Sequence, residues 1–348
     1  ERLDRRGYAI GKCLARLGEE TGALTLGAKN RCFYTPLIGA ADDYGKAKEW
    51  RSIQLDPVSI TVDVSKERAR KLSAIEPATC NFKGVLAGVG ALGGMLAEIW
   101  SNEAWGEWVF IDSDTLKPHN VIRHVAKNEH IGRYKVEAVK KAVEMNFPFG
   151  HYSATAVPDS VTSFDSKEVA HALDSAELLV DATTTLEAPR DLSRRNNIPR
   201  SVSVFLTPSG NGSVLLMESG DRTTRLSSLE AQYYRAVIES SWGSDHLKEN
   251  LSGMWVGAGC RDVSAVLSYD AVQLHAAILA RQVRLLKDDS CSRIRVWTSD
   301  LANGSVDFYD IPVMAPACAE SGGWIVNYDS GIQEKLGRMR REHTPAET

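Results

Sequence analysis

The sequence lacks the features that mark membrane-spanning and secreted proteins. Its longest strongly apolar stretch, 84–100, contains Glu98 and several glycines, which makes it unsuited to a bilayer helix. No apolar run of the kind found in signal peptides follows the charged residues at the N-terminus. We therefore expect a cytoplasmic protein with no membrane partner.

Clustered cysteines and an excess of one charge are also missing. The six cysteines are far apart and form no CxxC pair or Cys/His cluster with zinc spacing. The balance of 41 Lys and Arg against 45 Asp and Glu gives a net charge of −4, which argues against nucleic acid as the main partner. The length and composition fit two globular domains, or one large α/β domain with attachments.

Residues 1–80 carry no chemical signature and are expected to form a structural or docking region. The hydrophobic pattern predicts a short helix over 8–17 and a strand over 59–64. Ser65 is placed to cap a basic helix that runs through Leu72.

From residue 83 the chain predicts an α/β fold with a mainly parallel sheet. An apolar run at 83–87 is typical of a buried strand, and a glycine-rich turn, an apolar helix over 94–104 and a strand over 108–112 follow. This order predicts a right-handed crossover of the Rossmann type. The remaining elements are expected as helices over 134–145, 229–240 and 264–286, strands over 177–181, 201–206 and 212–217, a loop over 243–259, and a hairpin of 293–298 with 305–311.

The glycine-rich turn has the pattern G-x-G-x-x-G, formed by Gly88, Gly90 and Gly93. In such a turn the first glycine permits the bend, the second lets the backbone approach a phosphate, and the third lets helix and strand pack closely. Asp112 ends the next strand, where a carboxylate can accept hydrogen bonds from ribose hydroxyls. These features fit NAD, FAD or an adenine nucleotide equally well, and a purely structural glycine turn is the alternative.

The residues beyond Asp112 favour a triphosphate. Asn120, Arg123 and Lys135 follow in order along the next segment. Arginine and lysine neutralise phosphate charge and stabilise a pentavalent transition state at the α-phosphorus. An NAD(P)-dependent oxidoreductase leaves these three residues unexplained.

Together the motifs resemble those of the ThiF/MoeB-like, ubiquitin-activating-type adenylating enzymes. That family has G-x-G-x-x-G, Asp-x-Asp, Asn-x-x-Arg, Gly-x-x-Lys and a later strand that ends in an Asp-containing turn. The residues that match beyond the glycine turn are Asp112, Asp114, Asn120, Arg123, Gly132, Lys135 and Asp181. The resemblance implies a Rossmann-like ThiF-type adenylation domain over 81–312, preceded by a small N-terminal region, 1–80.

The resemblance also implies an activity: ATP-dependent adenylation of the C-terminal carboxylate of a ubiquitin-like protein by a homodimer, followed by transfer to a conjugating enzyme. Asp112 would then hold the ribose of ATP, and Asn120, Arg123 and Lys135 would contact its phosphates. Asp114 is the candidate for helping to bind Mg²⁺, and Asp181 matches the family's strand-end acid.

Two departures from the family pattern weaken this interpretation. Thr184 stands where the family has its metal-binding Asp, and a hydroxyl is a weaker, neutral ligand. Either Asp114 and the phosphates carry Mg²⁺, or catalysis is weakened. The family's N-terminal arginine motif is not evident in 1–80, and the arginines that could replace it are Arg2, Arg5, Arg6 and Arg51. These departures motivate the alternative, a scaffold that binds a ubiquitin-like protein or a partner subunit without turnover.

Cys260 is the candidate nucleophile for a thioester. It follows a glycine-rich loop, stands beside Arg261 and precedes the helix expected from 264, where the helix dipole favours a thiolate. Autophagy-type and bacterial antiviral activating enzymes, which this region resembles, place their catalytic cysteine similarly. The alternatives are a small buried residue that caps the helix, or an oxyester on Ser252 or Ser264.

The segment 313–348 is expected to be a linker and the start of another domain. A strand after Gly323 and an amphipathic helix over 330–341 lead to Glu347. This order resembles the opening of a JAMM-type metallopeptidase, in which a glutamate polarises a zinc-bound water. The resemblance implies a fusion of the kind found in bacterial ubiquitin-like operons, although the zinc ligands themselves are absent from the sequence.

Overall fold

A computed structural model describes residues 7–10, 24–27, 31–34, 54–58, 64–147, 152–246, 253–255, 263–300 and 302–314. The chain divides into two compact units, Glu1–Asp63 and Val64–Thr348.

The first unit contains two antiparallel strand pairs in its described part. Gly7–Ile10 (β1) pairs with Leu55–Val58 (β4), and Leu24–Gly27 (β2) pairs with Arg31–Tyr34 (β3). The helix predicted over 8–17 is therefore wrong at 8–10, where the backbone pairs with a neighbouring strand instead. Residues 11–17, and 59–63 of the predicted strand, lie outside the described residues.

The second unit alternates strands and helices. Its elements in chain order are α1 (Lys66–Leu72), β5 (Lys83–Ala87), α2 (Ala91–Asn102), β6 (Glu107–Ile111), α3 (Lys135–Glu144), β7 (Thr155–Val157), α4 (Lys167–Ser175), β8 (Leu178–Asp181), α5 (Glu187–Ser193), β9 (Arg200–Leu206), β10 (Gly212–Met217), α6 (Leu226–Glu239), α7 (Gly243–His246), β11 (Gly253–Trp255), β12 (Val263–Ala265), α8 (Tyr269–Leu286), β13 (Arg293–Asp300) and β14 (Ser305–Ile311).

Eight of these described strands form one sheet in the order β14-β13-β10-β9-β8-β5-β6-β7. The five strands from β5 to β9 run parallel, and β10, β13 and β14 extend the sheet in antiparallel fashion. The predicted mainly parallel, Rossmann-like α/β fold is confirmed. The chain moves outward from β5 through β6 and β7 and then returns to the other side of β5 with β8. Sheets of this kind bind ligands at the carboxyl ends of the strands where the order reverses.

Helices cover both faces of the sheet. On one face α2, α3 and α8 pack in a core that includes Leu96, Val139 and Leu279. On the other face α4 and α5 pack against β5 and β8, and α6 packs against β10 and β13. Because side chains alternate along a strand, Leu86 belongs to the first core and Val85 to the second. Such burial of apolar surface is the main stabilising contribution to a fold of this type.

The ends of several elements differ from the prediction. Helix α2 begins at Ala91 rather than at 94, because part of the glycine turn lies in its first turn. The helix predicted over 264–286 begins at Tyr269, because β12 precedes it and pairs with β11. The loop predicted over 243–259 likewise contains α7 and β11. The hairpin of β13 and β14 and the cap of Ser65 on α1, whose Oγ accepts from the Arg68 amide at 3.3 Å, are confirmed.

In the part of the chain that the structure describes, no helix is long and apolar enough to cross a membrane.

Candidate functional site

A cleft of about 680 Å³ lies at the carboxyl ends of the parallel strands, where the strand order reverses. Its walls come from the glycine turn after β5, from the loops after β6, β7, β8 and β9, and from the starts of α3 and α8. Gly88, Gly90, Asp112, Asp114 and Lys135 all line this cleft. The topology therefore gathers residues that are far apart in the sequence.

The glycine turn has a shape that side chains would disturb at two of its three positions. Gly88 has a φ of +80°, and a Cβ there would lie 2.7 Å from the backbone of Thr183. A Cβ on Gly93 would lie 1.9 Å from the carbonyl oxygen of Gly88, so this glycine allows α2 to pack against the turn. Gly90 instead faces open space, with nothing within 4 Å of a Cβ. The open side of the turn is thus next to Gly90.

Helix α2 points its N-terminus at the cleft. Gly90 is its N-cap residue, and no side chain among the described residues caps this end. The first amides of a helix have no partner within the helix, and the helix dipole makes this end positive. The turn and the start of α2 therefore form a site suited to an anion such as a phosphate.

Asp112 is fixed by backbone amides on both carboxylate oxygens. Its Oδ2 accepts from the Val89 amide at 2.9 Å, and its Oδ1 accepts from the Asp114 amide at 2.8 Å. Burial raises the pKa of the Asp112 carboxyl, while the charge of Lys135 and the two amides oppose this shift. Each oxygen keeps a second lone pair, so the carboxylate can still accept from ligand hydroxyls.

Asp114 and Lys135 form an ion pair on the cleft wall. The Lys135 Nζ lies 2.6 Å from Asp114 Oδ2, and the Lys135 amide donates to the Asp114 carbonyl at 2.8 Å. The Asp114 side chain is 70% exposed, whereas that of Lys135 is 14% exposed. An incoming anion can therefore reach Lys135 only from the cleft, and Asp114 can turn toward solvent or a ligand.

Arg123 and Asn120 lie in the segment between β6 and α3. The Nη1 of Arg123 donates at 3.5 Å to the carbonyl of Leu267, a residue that lines the cleft, and burial lowers the pKa of Arg123. The Oδ1 of Asn120 accepts from the Lys117 amide at 2.9 Å and stabilises a 3₁₀ turn. Arg123 therefore contacts a residue of the cleft wall and Asn120 shapes the loop, but neither of the two lines the cleft.

Asp181 lies behind the cleft wall rather than on it. Its Oδ1 accepts from the Thr183 amide at 3.1 Å and from the Thr183 hydroxyl at 2.6 Å, and its Oδ2 accepts from the Ser203 hydroxyl at 2.8 Å. The residue is 2% exposed, and burial raises the pKa of its carboxyl. Asp181 thus holds the threonine loop after β8 in place, and the structure does not bring it to the ligand space.

The residues of the cleft fit a Mg²⁺ ion that is held mainly by the phosphates of a bound molecule and by few protein side chains. Thr184 is exposed with a φ of +59°, and its hydroxyl donates to the Thr183 carbonyl at 2.7 Å. Among the described residues no group of three or more His, Cys, Asp or Glu could hold a metal. Mg²⁺ commonly takes one or two carboxylates together with phosphates and waters, and Asp114 is an exposed carboxylate of the cleft that could serve.

The structure also adds residues that sequence reasoning missed. The loop after β7 brings Asp159 and Thr162 to the cleft, and α5 contributes the exposed Glu187. Strand β7 has three residues, too few for a periodic pattern, so the loop that follows it could not be placed. A second omission is His124, which is buried beside Arg123 and contacts the glycine turn. The signal available was a histidine that directly follows the arginine of the Asn-x-x-Arg motif and precedes two apolar residues.

The proposed nucleophile Cys260 lies outside the described residues, as do the candidate arginines of the N-terminal region, Ser252 and the segment that resembles a JAMM-type domain. Ser264 lies in β12. Of the cysteines whose side chains the structure describes, Cys80 is buried and Cys291 is exposed, and both are free thiols.

A family model matches the central part of this chain. Residues 78–210 match the model of the ThiF family. No curated protein matches the sequence.

The fold is similar to those of several solved structures. E. coli MccB with ATP is 16% identical, with 70% of this chain and 68% of that chain covered and a TM-score of 0.48. MccB in complex with N-formylated MccA is 15% identical, with coverages of 70% and 68% and a TM-score of 0.49. Selenomethionine PaaA is 15% identical, with coverages of 76% and 80% and a TM-score of 0.49.

Proposed function

We propose that the chain is an ATP-dependent adenylating enzyme that activates the C-terminal carboxylate of a ubiquitin-like protein. The observation that carries the proposal is that the glycine turn, Asp112 and Lys135 all line one cleft, which lies where the strand order of the sheet reverses. The ThiF family match over 78–210 supports it. The cleft offers a positive helix end, a carboxylate for ribose hydroxyls and a cation for phosphates.

In the proposed reaction a carboxylate oxygen of the substrate attacks the α-phosphorus of ATP. A carbon–oxygen–phosphorus anhydride forms and pyrophosphate leaves, which gives an acyl-adenylate. Lys135 and Arg123 would stabilise negative charge on the phosphates as the new bond forms. Mg²⁺, when bound, would supply further neutralisation of the phosphate charge, and Asp114 is the residue proposed to hold it.

A second step would transfer the acyl group to Cys260. The Cys260 thiolate attacks the carbonyl carbon, the acyl–oxygen bond breaks, and AMP leaves with the electron pair. The resulting thioester would pass the ubiquitin-like protein to a conjugating enzyme. The support for this step is the resemblance of the sequence around Cys260. A homodimer is proposed from the resemblance to the family, and a cytoplasmic location from the dispersed cysteines.

Pyrophosphate–ATP exchange tests the proposal. The full chain would be incubated with ubiquitin-like proteins, and with versions lacking the last residues of their C-termini. We expect exchange only with intact C-termini, and loss of exchange in Lys135→Ala but not in Lys140→Ala, a lysine of the same helix outside the cleft. A Cys260→Ser variant should keep exchange and lose the thiol-sensitive adduct. Exchange that is unaffected by Lys135→Ala would contradict the proposal.

A catalytically weakened scaffold is the second candidate function. The observations that favour it are Thr184 at the position of the family's metal-binding Asp and the buried carboxylate of Asp181, which accepts three hydrogen bonds from the protein. A scaffold of this kind would bind a ubiquitin-like protein in calorimetry without any exchange in the same preparation. Full exchange would exclude it.

A further inference from the structure

His124 and Asp112 hold the glycine turn through different backbone groups of the same residue. Its Nε2 lies 2.7 Å from the Val89 carbonyl oxygen, and its Nδ1 accepts from the Ala126 amide at 3.0 Å. The Val89 amide in turn donates to Asp112 at 2.9 Å. The backbone amide and the backbone carbonyl of Val89 are therefore both hydrogen-bonded.

These contacts determine the protonation of the ring. Because the Ala126 amide donates to Nδ1, that nitrogen carries no proton, and the neutral ring must carry its proton on Nε2 and donate to Val89. The pKa of His124 is lowered to about 4, mainly by burial; the charges of Lys135 and Lys127 and the nearby His130 act in the same direction, while the Val89 carbonyl opposes them. The donor to the turn is thus present at neutral pH.

The bond to Val89 also orients the next amide. The described peptide bonds are trans, so the Val89 carbonyl and the Gly90 amide of one peptide plane point in opposite directions. With the carbonyl held by His124, the Gly90 amide points away from the ring. Gly90 lines the cleft, and the space at its Cα is open. A flip of this plane would instead turn a carbonyl oxygen toward an incoming anion.

We propose that His124 is a positioning residue that locks the Val89–Gly90 peptide with its amide toward the phosphates of the nucleotide. The proposal rests on the proposed function only for the identity of the anion. Glycine at position 90 makes such a lock necessary, because a glycine has little steric resistance to rotation of the adjoining peptide plane.

Two variants with a side-chain amide, His124→Gln and His124→Asn, distinguish the two hydrogen bonds that the His124 ring makes. Gln places its side-chain nitrogen near the position of Nε2, so His124→Gln can keep the donor to Val89. Asn places its oxygen near the position of Nδ1, so His124→Asn can keep only the acceptor for Ala126. The matched control is His275→Asn, because His275 is equally buried, has a pKa lowered to about 4 by burial, and contacts Ser213 and Ser299 rather than the cleft.

The first readout needs no ligand. Amide hydrogen exchange in the turn, 86–95, should be faster in His124→Asn than in wild type, and close to wild type in His124→Gln and His275→Asn. Equal exchange in His124→Asn and wild type would overturn the proposal whether or not the chain binds ATP.

The second readout compares ligands with and without phosphates by calorimetry. We expect His124→Asn to bind Mg·ATP about tenfold more weakly, to bind adenosine as wild type does, and to be rescued in His124→Gln. An equal loss for ATP and adenosine, or no rescue by Gln, would overturn the positioning role. A wild-type chain that binds no Mg·ATP would contradict the proposed function, and the exchange measurement would still decide whether His124 locks the turn.

Discussion

The parallel and antiparallel parts of the sheet use their polar residues in opposite ways. In the parallel part, β5 to β9, the carboxyl ends meet at one edge, and Asp112, Asp114 and Lys135 face a cleft there. In the antiparallel part, β10, β13 and β14, successive strands end at opposite edges, and buried polar groups such as Ser213 and Ser299 bond to other groups of the protein. The topology of the parallel part thus creates a ligand site, and that of the antiparallel part creates internal support.

Glu218, directly after β10, illustrates the second case. The side chain is fully buried, its Oε2 accepts from the Ser201 amide at 3.1 Å and from Arg222 at 2.7 Å, and its Oε1 accepts from the Leu226 amide at 3.1 Å. All its bonds are to the protein. Glu218 therefore ties β9, β10 and the start of α6 together.

The largest effect on stability is expected from Glu218→Ala. Removing the carboxylate leaves the Arg222 charge without its counterion and the Arg222 Nε and two amides buried without their acceptor, which costs about 3–5 kcal/mol in comparable cases. Chemical denaturation would measure the loss in the free energy of unfolding. The folded fraction should bind Mg·ATP as wild type does, and a selective loss of nucleotide affinity would break the distinction between the two parts of the sheet.

Lys135→Ala should have the opposite effect, on nucleotide binding rather than on stability. Loss of a cation that contacts phosphate is expected to weaken Mg·ATP binding about 100-fold, with little change in thermal stability because the Asp114 partner is exposed. Calorimetry on Lys135→Ala and Lys140→Ala would measure it. Equal affinities in the two variants would show that the cleft lysine has no special role.

Two glycines of the same turn should separate an effect on stability from an effect on ligand binding. Gly93→Ala places a Cβ against the Gly88 carbonyl and should destabilise the protein by about 1–3 kcal/mol through overpacking. Gly90→Ala meets open space and should keep stability but weaken ATP binding, since its methyl group would occupy the path of a phosphate. Thermal denaturation and calorimetry on both variants would test this; similar stability losses in both would contradict the geometry.

The smallest effect is a pH dependence that His275 contributes. Burial lowers the pKa of His275 from 6.5 to about 4, so between these values the unfolded chain binds a proton that the native protein does not. The stability due to neutral His275 is complete above pH 6.5 and is lost as the pH falls toward 4, by at most about 1.4 kcal/mol per pH unit. Denaturation from about pH 7 to 5 should show a flatter dependence in His275→Gln. Unchanged slopes would mean that the ring is already charged in the native state.

The sequence predicted both the parallel strands around the glycine turn and the antiparallel strands β10, β13 and β14, and it missed β7 in the parallel part. The buried runs before Gly88 and Asp112, and the glycine pattern between them, depend on local residues, so the strands, the helix and their contribution to one cleft could be inferred. The confirmed prediction of a mainly parallel sheet follows from that repeated order.

What could not be predicted depended on contacts between distant segments. Strand β7 is too short for a periodic signal, and β12 resembles the start of the long helix that follows it. Asp181 ends its strand as expected, but only the fold shows that Ser203 and Thr183 use up its carboxylate. His124 likewise acquires its role from Val89, which is far away in sequence.

The central claim is that the cleft binds an adenine nucleotide through its phosphates, and one calorimetric comparison tests it most directly. Wild type, Asp112→Asn and Asp112→Ala would each be titrated with Mg·ATP, AMP and NADH. The account predicts binding of Mg·ATP by wild type, weaker binding in both variants, and no preference for NADH. Tight binding of NADH, or binding of Mg·ATP that Asp112→Ala leaves unchanged, would contradict it.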